Sequence, residues 1–114
     1  METIIIPVFG NRISPRLDYA EHFQLFTIED RKITSKELFK IITSNRLERT
    51  NRLIRLNPDI IICNGLTERC YVELSKSKIK IIPWIQGEVD EILHNYFSGY
   101  IKESGEHKFG NKIN

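Results

Sequence analysis

Residues 59–84, DIIICNGLTERCYVELSKSKIKIIPW, decide the fold of this chain. The apolar run at 59–63 has no polar alternation, which is typical of a strand covered on both faces of a sheet. A turn and the capping residue Thr67 then predict a helix that runs to about residue 77. The strand pattern returns at 79–84. A strand, a turn, a helix and a second strand predict a parallel unit of an α/β fold.

The N-terminal part of the chain adds a buried strand and a β-hairpin. Residues 3–9 form another continuous apolar run rich in β-branched side chains, which predicts a central strand. Residues 10–22 show no sustained period and predict a long loop. Partly alternating residues at 23–28 and 33–42, joined by the charged turn 29–32, predict two antiparallel strands.

Two further helices follow from capping and periodicity. Asn45, with Glu48 three residues later, resembles an N-cap box, and Asn57-Pro58 ends the helix that it opens. The last helix is predicted by an apolar stripe at helical spacing, which ends before Gly99. The members of this stripe are Val89, Ile92, Leu93, Tyr96 and Phe97.

Together these patterns predict a single α/β domain over residues 1–101, with a mixed five-stranded sheet flanked by helices. A polar, flexible tail is expected at 102–114. A length of 114 residues and a hydrophobic content of 40% suit one core and one domain.

Composition narrows the class of function. The chain has 17 Lys and Arg residues against 15 Asp and Glu residues, and a net charge of +2 is too small to favour nucleic acid or a membrane surface. No apolar run approaches the roughly 20 residues that a membrane span needs, and the N-terminus has no signal-peptide pattern. We therefore expect a cytoplasmic protein whose two cysteines stay reduced.

The predicted binding site lies beyond the carboxyl ends of the strands, where open α/β sheets hold their ligands. Three segments meet there, and two of them lead into helix N-termini, which favour anions. The binding candidates in these segments are Gly10, Asn11, Arg12, Asn64, Gly65 and Gly87. The alternative is that each glycine only allows the chain to turn.

Cys63 and His22 are the candidate metal ligands. Cys63 ends a predicted strand at the crevice, although a buried structural cysteine is the commoner case. His22 lies at the end of the long loop, where an ordinary loop histidine is the alternative. Cys70 shares a helix side with Leu74 and is assigned to the core.

A basic stripe on one helix leaves a second class of function open. Arg46, Arg49, Arg52 and Arg55 recur along one helix, opposite its apolar side chains Leu47, Leu53 and Ile54. This stripe predicts a solvated face, or else a regulatory domain that binds a protein or nucleic acid.

No hydrolase elbow, P-loop or dinucleotide motif is present, so no enzyme is predicted. A hydrolase would have to use a carboxylate pair, for which Asp18 and Glu88 are the candidates.

Several segments resemble the dinitrogenase iron-molybdenum cofactor biosynthesis family. They are IIIPVFG at 4–10, ISPRLD at 13–18, AEHF at 20–23, IICNGL at 61–66, IPW at 82–84, GEV at 87–89 and the stretch 93–99. The resemblance implies a ribonuclease H-like fold. It also implies binding or carriage of an iron-sulfur or iron-molybdenum-sulfur cluster, with cluster-assembly proteins as partners and a role accessory to nitrogen fixation. Where the cofactor-carrying branch has His followed by Phe, this chain has Arg16 and Leu17, so Arg16 joins Cys63 and His22 as a candidate site residue.

Overall fold

A computed structural model describes residues 1–101, and the predicted tail at 102–114 lies outside this part of the chain. The strands are β1 (Glu2–Phe9), β2 (Arg12–Ile13), β3 (His22–Glu29), β4 (Lys32–Lys40), β5 (Ile60–Ile62) and β6 (Lys80–Ile82). The helices are α1 (Arg46–Leu56), α2 (Glu68–Lys76) and α3 (Val89–Phe97), and a single 3-10 turn covers Leu17–Tyr19. None of the helices in residues 1–101 has the length and apolar character that crossing a membrane requires.

The strands form one mixed sheet in the order β4-β3-β1-β5-β6, with β2 paired to β1. β1, β3 and β4 are antiparallel neighbours, whereas β1, β5 and β6 run parallel. The predicted mixed α/β architecture is confirmed, but the sheet has six strands rather than five within the described residues. The prediction missed β2 because a strand of two residues, paired through Val8 with Ile13 and Phe9 with Arg12, is too short to show a period.

The predicted hairpin is confirmed, and its turn has a clear backbone basis. Asp30 and Arg31 have φ angles of 52° and 64°, the left-handed pair that a two-residue type I′ turn requires. The Arg31 guanidinium also donates to the Phe97 carbonyl at 2.7 Å, at the carboxyl end of α3. A cation in this position satisfies an otherwise unpaired helix carbonyl.

Helices cover both faces of the sheet, and each face has its own apolar core. Along β1, Ile5 packs into the core beneath α1 and α2, while Ile4 and Ile6 pack into the core beneath α3. This alternation follows from the two-residue period of a strand. A strand buried on both sides must be apolar at every position, which explains the unbroken run in β1.

The predicted caps are also present. The Asn45 side chain accepts from the backbone N–H groups of Leu47 at 2.9 Å and Glu48 at 3.1 Å. The Thr67 hydroxyl accepts from the Cys70 N–H at 3.1 Å. These two caps fix where α1 and α2 begin, and the first turns of both helices border the site described next.

Candidate functional site

The predicted long loop between β1 and β3 folds onto the turn that follows β5. The Leu17 N–H donates to the Gly65 carbonyl at 2.8 Å, and the Gly65 N–H donates to the Pro15 carbonyl at 3.0 Å. A Cβ atom at Gly65 would lie 3.0 Å from Arg16 Cδ and 3.1 Å from the Pro15 oxygen. Gly65 is therefore needed for close approach of two backbones, and it sets the position of Arg16.

The same loop is bonded to the segment before α3. The Ile13 N–H donates to the Gly87 carbonyl and the Val89 N–H to the Asn11 carbonyl, both at 3.0 Å. Arg12 and Glu88 also form a backbone bridge. The three predicted segments therefore do meet at the carboxyl ends of the strands. The loop itself occupies the space between them, so the backbones contact one another directly.

Cys63 lies in the core beneath α1 and α2, with no exposed surface. Burial raises the pKa of its thiol, and the nearby Cys70 and Asp18 raise it further. A neutral thiol with no solvent access is poorly suited to capture a metal from solution. Its role as a ligand stays a prediction that requires the core to open.

His22 begins β3 and lies opposite Val8 of β1. It has the strand parity of Phe26, which packs beneath α3, so the two side chains lie on the same face of the sheet. Cys63 packs on the other face. The structure therefore does not bring the two predicted metal ligands together, and residues 1–101 contain no group of three or more His, Cys, Asp or Glu side chains that could hold a metal ion.

Asp18, which was considered only as a hydrolase candidate, is the centre of a charged cluster. Its side chain is 1% exposed. Arg16 donates to it through Nε at 3.2 Å and through Nη2 at 2.9 Å, and Arg46 Nη1 lies 3.6 Å from the same carboxylate. Both guanidinium groups also lie over the Tyr19 ring, at 5.5 Å and 5.4 Å from its centre. The aromatic face and the carboxylate thus hold two cations side by side. Glu88 occupies the N-cap position of α3 without a side-chain capping hydrogen bond. The two candidate carboxylates line separate pockets.

Arg49 departs from the predicted solvated stripe, because it is 4% exposed. Its Nη1 donates to the Asp18 carbonyl at 2.6 Å and its Nη2 to the Thr43 carbonyl at 2.7 Å, while Nε has no partner. Leu47, predicted to lie on the apolar side of α1, is 49% exposed. The prediction is confirmed for Leu53 and Ile54, which pack into the core. Arg49 is buried as well, because the Asp18 and Thr43 carbonyl groups accept from its guanidinium. The other three arginines of the stripe, Arg46, Arg52 and Arg55, are exposed and remain available to the nucleic-acid hypothesis.

A cleft of about 360 Å³ lies beside this cluster, between the first turns of α1 and α2. Its lining consists of Asp18, Arg46, Leu47, Thr50, Thr67, Arg69, Cys70 and Glu73. Cys70 is buried in the helix core as predicted, but it borders this cleft, with its Sγ 3.6 Å from Thr50 Oγ1. Burial raises the pKa of the Cys70 thiol. The cleft combines cations with two helix N-termini, which is an arrangement suited to an anion.

Sequence reasoning missed Arg46, Arg69 and Asp18 as parts of one site. One signal was available: Arg16 and Asp18 are separated by a single residue, a spacing that allows their side chains to pair. The pairing with Arg46 depends on how α1 packs against the 3-10 turn, and local sequence does not encode that packing.

Comparisons with known proteins identify the fold. No family model matches the chain and no curated protein matches it. A candidate dinitrogenase (MJ0327) from Methanocaldococcus jannaschii superposes with a TM-score of 0.74 at 21% identity, covering 92% of this chain and 96% of that one. A candidate NifB protein from Thermotoga (TM1290), of the DUF35 family, has a TM-score of 0.72 at 17% identity, covering 95% and 99%.

The apo form of the orange protein from Desulfovibrio gigas gives a similar result. Its TM-score is 0.74 at 13% identity, and the match covers 92% of this chain and 94% of that one. Because all three identities are low while almost the full length of each chain superposes, these comparisons establish the fold. The chain has the same mixed α/β fold as these three proteins.

Proposed function

We propose that this chain is a non-enzymatic binding protein for an anionic metal-sulfur cluster, for a precursor of such a cluster or for a related oxyanion. Its partners are then cluster-assembly proteins. The observation that carries this proposal is the convergence of Arg16 and Arg46 beside a cleft formed by the first turns of α1 and α2. Paired guanidinium groups bind multiply charged anions through charge and directed N–H donors.

The described residues favour a cargo held by charge rather than by a set of protein ligands. Residues 1–101 offer no cluster of three metal-binding side chains, and Cys63 and His22 lie on opposite faces of the sheet. A preformed cluster or a molybdenum oxyanion brings its own sulfide or oxide ligands. The protein then has to supply positive charge and a shaped cleft, and Arg16, Arg46 and Arg69 provide that charge.

The resemblance in sequence and the structural neighbours support the same class of cargo. Two of these neighbours are described as a candidate dinitrogenase and a candidate NifB protein, and a third is described as an apo form, the term for a protein without its ligand. We also propose that the fold is ribonuclease H-like. It is supported by an antiparallel β1-β3-β4 unit followed by parallel strands.

The test is anaerobic reconstitution with iron, sulfide and molybdate, followed by removal of unbound metal and measurement of metal and sulfide per chain. The wild-type protein is expected to retain metal and the double variant Arg16→Gln/Arg46→Gln to lose most of it. Arg52→Gln/Arg55→Gln is the matched control, because it removes the same number of charges from exposed positions of α1.

Equal metal retention in the wild-type protein and the double variant would remove the arginine pair from the site. Cys63→Ala and His22→Ala, measured in parallel, test the earlier candidates. If either variant alone abolishes loading, coordination by that residue replaces charge as the basis of binding.

A further inference from the structure

The Asp18 carboxylate and the two arginines that hold it differ sharply in burial. The Asp18 side chain is 1% exposed, whereas the side chains of Arg16 and Arg46 are 46% and 54% exposed. The negative charge is therefore sealed inside the protein, and the positive groups that neutralise it face the solvent. An anion arriving from solution therefore meets mainly the exposed guanidinium groups, although Asp18 also borders the cleft.

Asp18 is fixed in place by its backbone. Its carbonyl accepts from Arg49 Nη1 at 2.6 Å, and the 3-10 turn that carries it is bonded through Leu17 to Gly65. A ligand that pulled Arg16 and Arg46 away would leave a buried carboxylate unpaired, which is strongly unfavourable. A ligand therefore binds without displacing the carboxylate from the arginines.

Unused donors remain when the carboxylate stays in place. Arg16 donates to Asp18 through Nε and Nη2, and its Nη1 has no hydrogen-bond partner among the described residues. Arg46 approaches the carboxylate through Nη1 alone, which leaves its Nε and Nη2. The contacts of both guanidinium groups with the Tyr19 ring also favour this placement.

We propose that Asp18 is a positioning residue that holds Arg16 and Arg46 as a preorganised pair for a compact dianion. This inference rests on the proposed function and specifies its ligand. The cluster and the cleft lining contain four arginines (Arg16, Arg46, Arg49 and Arg69) and two carboxylates (Asp18 and Glu73), which leaves a surplus of two positive charges. A tetrahedral dianion neutralises that surplus, and a cleft of about 360 Å³ has ample room for it.

Two carboxylate variants separate positioning from simple charge. Removal of any negative charge near an anion site should tighten binding by Coulomb attraction alone. Glu73→Gln removes a charge from the same cleft without touching the arginine pair, and we expect it to bind molybdate as tightly as the wild-type protein or more tightly. Asp18→Asn removes the carboxylate that orients both arginines, and we expect it to bind about tenfold more weakly.

The experiment is equilibrium dialysis of the full chain against molybdate, with metal analysis on both sides of the membrane and with chloride and sulfate as competitors. Sulfate, a tetrahedral dianion, should compete, whereas chloride should not. If Asp18→Asn binds more tightly than the wild-type protein, Asp18 is only an unfavourable charge and the positioning role is overturned.

A conservative variant keeps the test decisive if Asp18→Asn does not fold. Arg16→Lys preserves the charge but cannot donate through Nε and Nη2 together, so we expect a loss of about tenfold in molybdate affinity. Unchanged affinity in Arg16→Lys would overturn the inference. In the folded wild-type protein the Nε–H resonance of Arg16 should be slow to exchange and should shift when molybdate is added.

The outcomes distinguish this inference from the proposed function. A wild-type protein that loads iron and sulfide but does not bind molybdate overturns the compact dianion and leaves the cluster carrier intact. A protein that retains neither overturns both.

Discussion

The two faces of the sheet bury very different chemistry. The core beneath α3 is made of aliphatic and aromatic side chains such as Ile6, Phe26 and Ile92. The core beneath α1 and α2 is bordered by the buried polar residues Asp18, Arg49 and Thr50, and it contains both thiols. One face is therefore a plain apolar scaffold, whereas the other holds ions in a position where apolar residues could have packed.

This difference indicates which face of the sheet has a role besides stabilising the fold. Burying charged groups opposes folding unless their pairing is nearly complete, and well-packed apolar residues often replace such groups without loss of stability. Departures from the simplest packing tend to mark functional regions. The contrast therefore favours a site on the face that carries α1 and α2.

The largest expected effect is on the apolar face. Phe26 is 1% exposed, and Phe26→Ala should lower the free energy of unfolding by about 3–5 kcal/mol, because a large cavity opens in the core. Urea denaturation followed by circular dichroism measures this. Metal loading per folded chain should stay at the wild-type level, and a loss of loading in the folded fraction would show that the two faces do not act separately.

An intermediate effect is expected at Arg49. Arg49→Met removes the donors to the Asp18 and Thr43 carbonyl groups and should lower the free energy of unfolding by about 2–3 kcal/mol. The same urea titration gives the value. A variant more stable than the wild-type protein would mean that the buried guanidinium opposes folding, and this would sharpen the contrast between the faces.

The smallest expected effect is a difference in pH dependence. Burial raises the pKa values of the Cys63 and Cys70 thiols, so the folded state keeps them neutral while the unfolded state ionises above about pH 8.5. Their contribution to stability is complete below that pH and is lost as the pH rises. Above it, Cys63→Ala should reduce the fall in unfolding free energy by about 1.4 kcal/mol per pH unit.

Urea titrations from about pH 7.5 to about pH 10 give this slope. Parallel curves for Cys63→Ala and the wild-type protein would show that the Cys63 thiol is not sealed from solvent. The apolar face offers the control, since a substitution such as Ile92→Val changes no ionisable group and should leave the slope unchanged.

The sequence predicted the fold well because its signals are local. The apolar run in β1, the caps Asn45 and Thr67 and the stripe of α3 each depend on neighbouring residues alone. The charged cluster was not predicted, because Arg46 and Asp18 are far apart in sequence and meet only through tertiary packing. Arg49 shows the limit most clearly. Its spacing matches an exposed stripe, yet two backbone carbonyl groups hold it inside the protein.

The loop between β1 and β3, which is hydrogen-bonded to two distant segments, also affects when the arginine pair can form during synthesis. Its hydrogen bonds join Leu17 to Gly65 and Asn11 to Val89, so the arginine pair acquires its support only when distant parts of the chain are present together. During synthesis the N-terminal strands and the hairpin leave the ribosome long before α3. Both ends of the loop can therefore be held in place only after the chain has been synthesised as far as Val89.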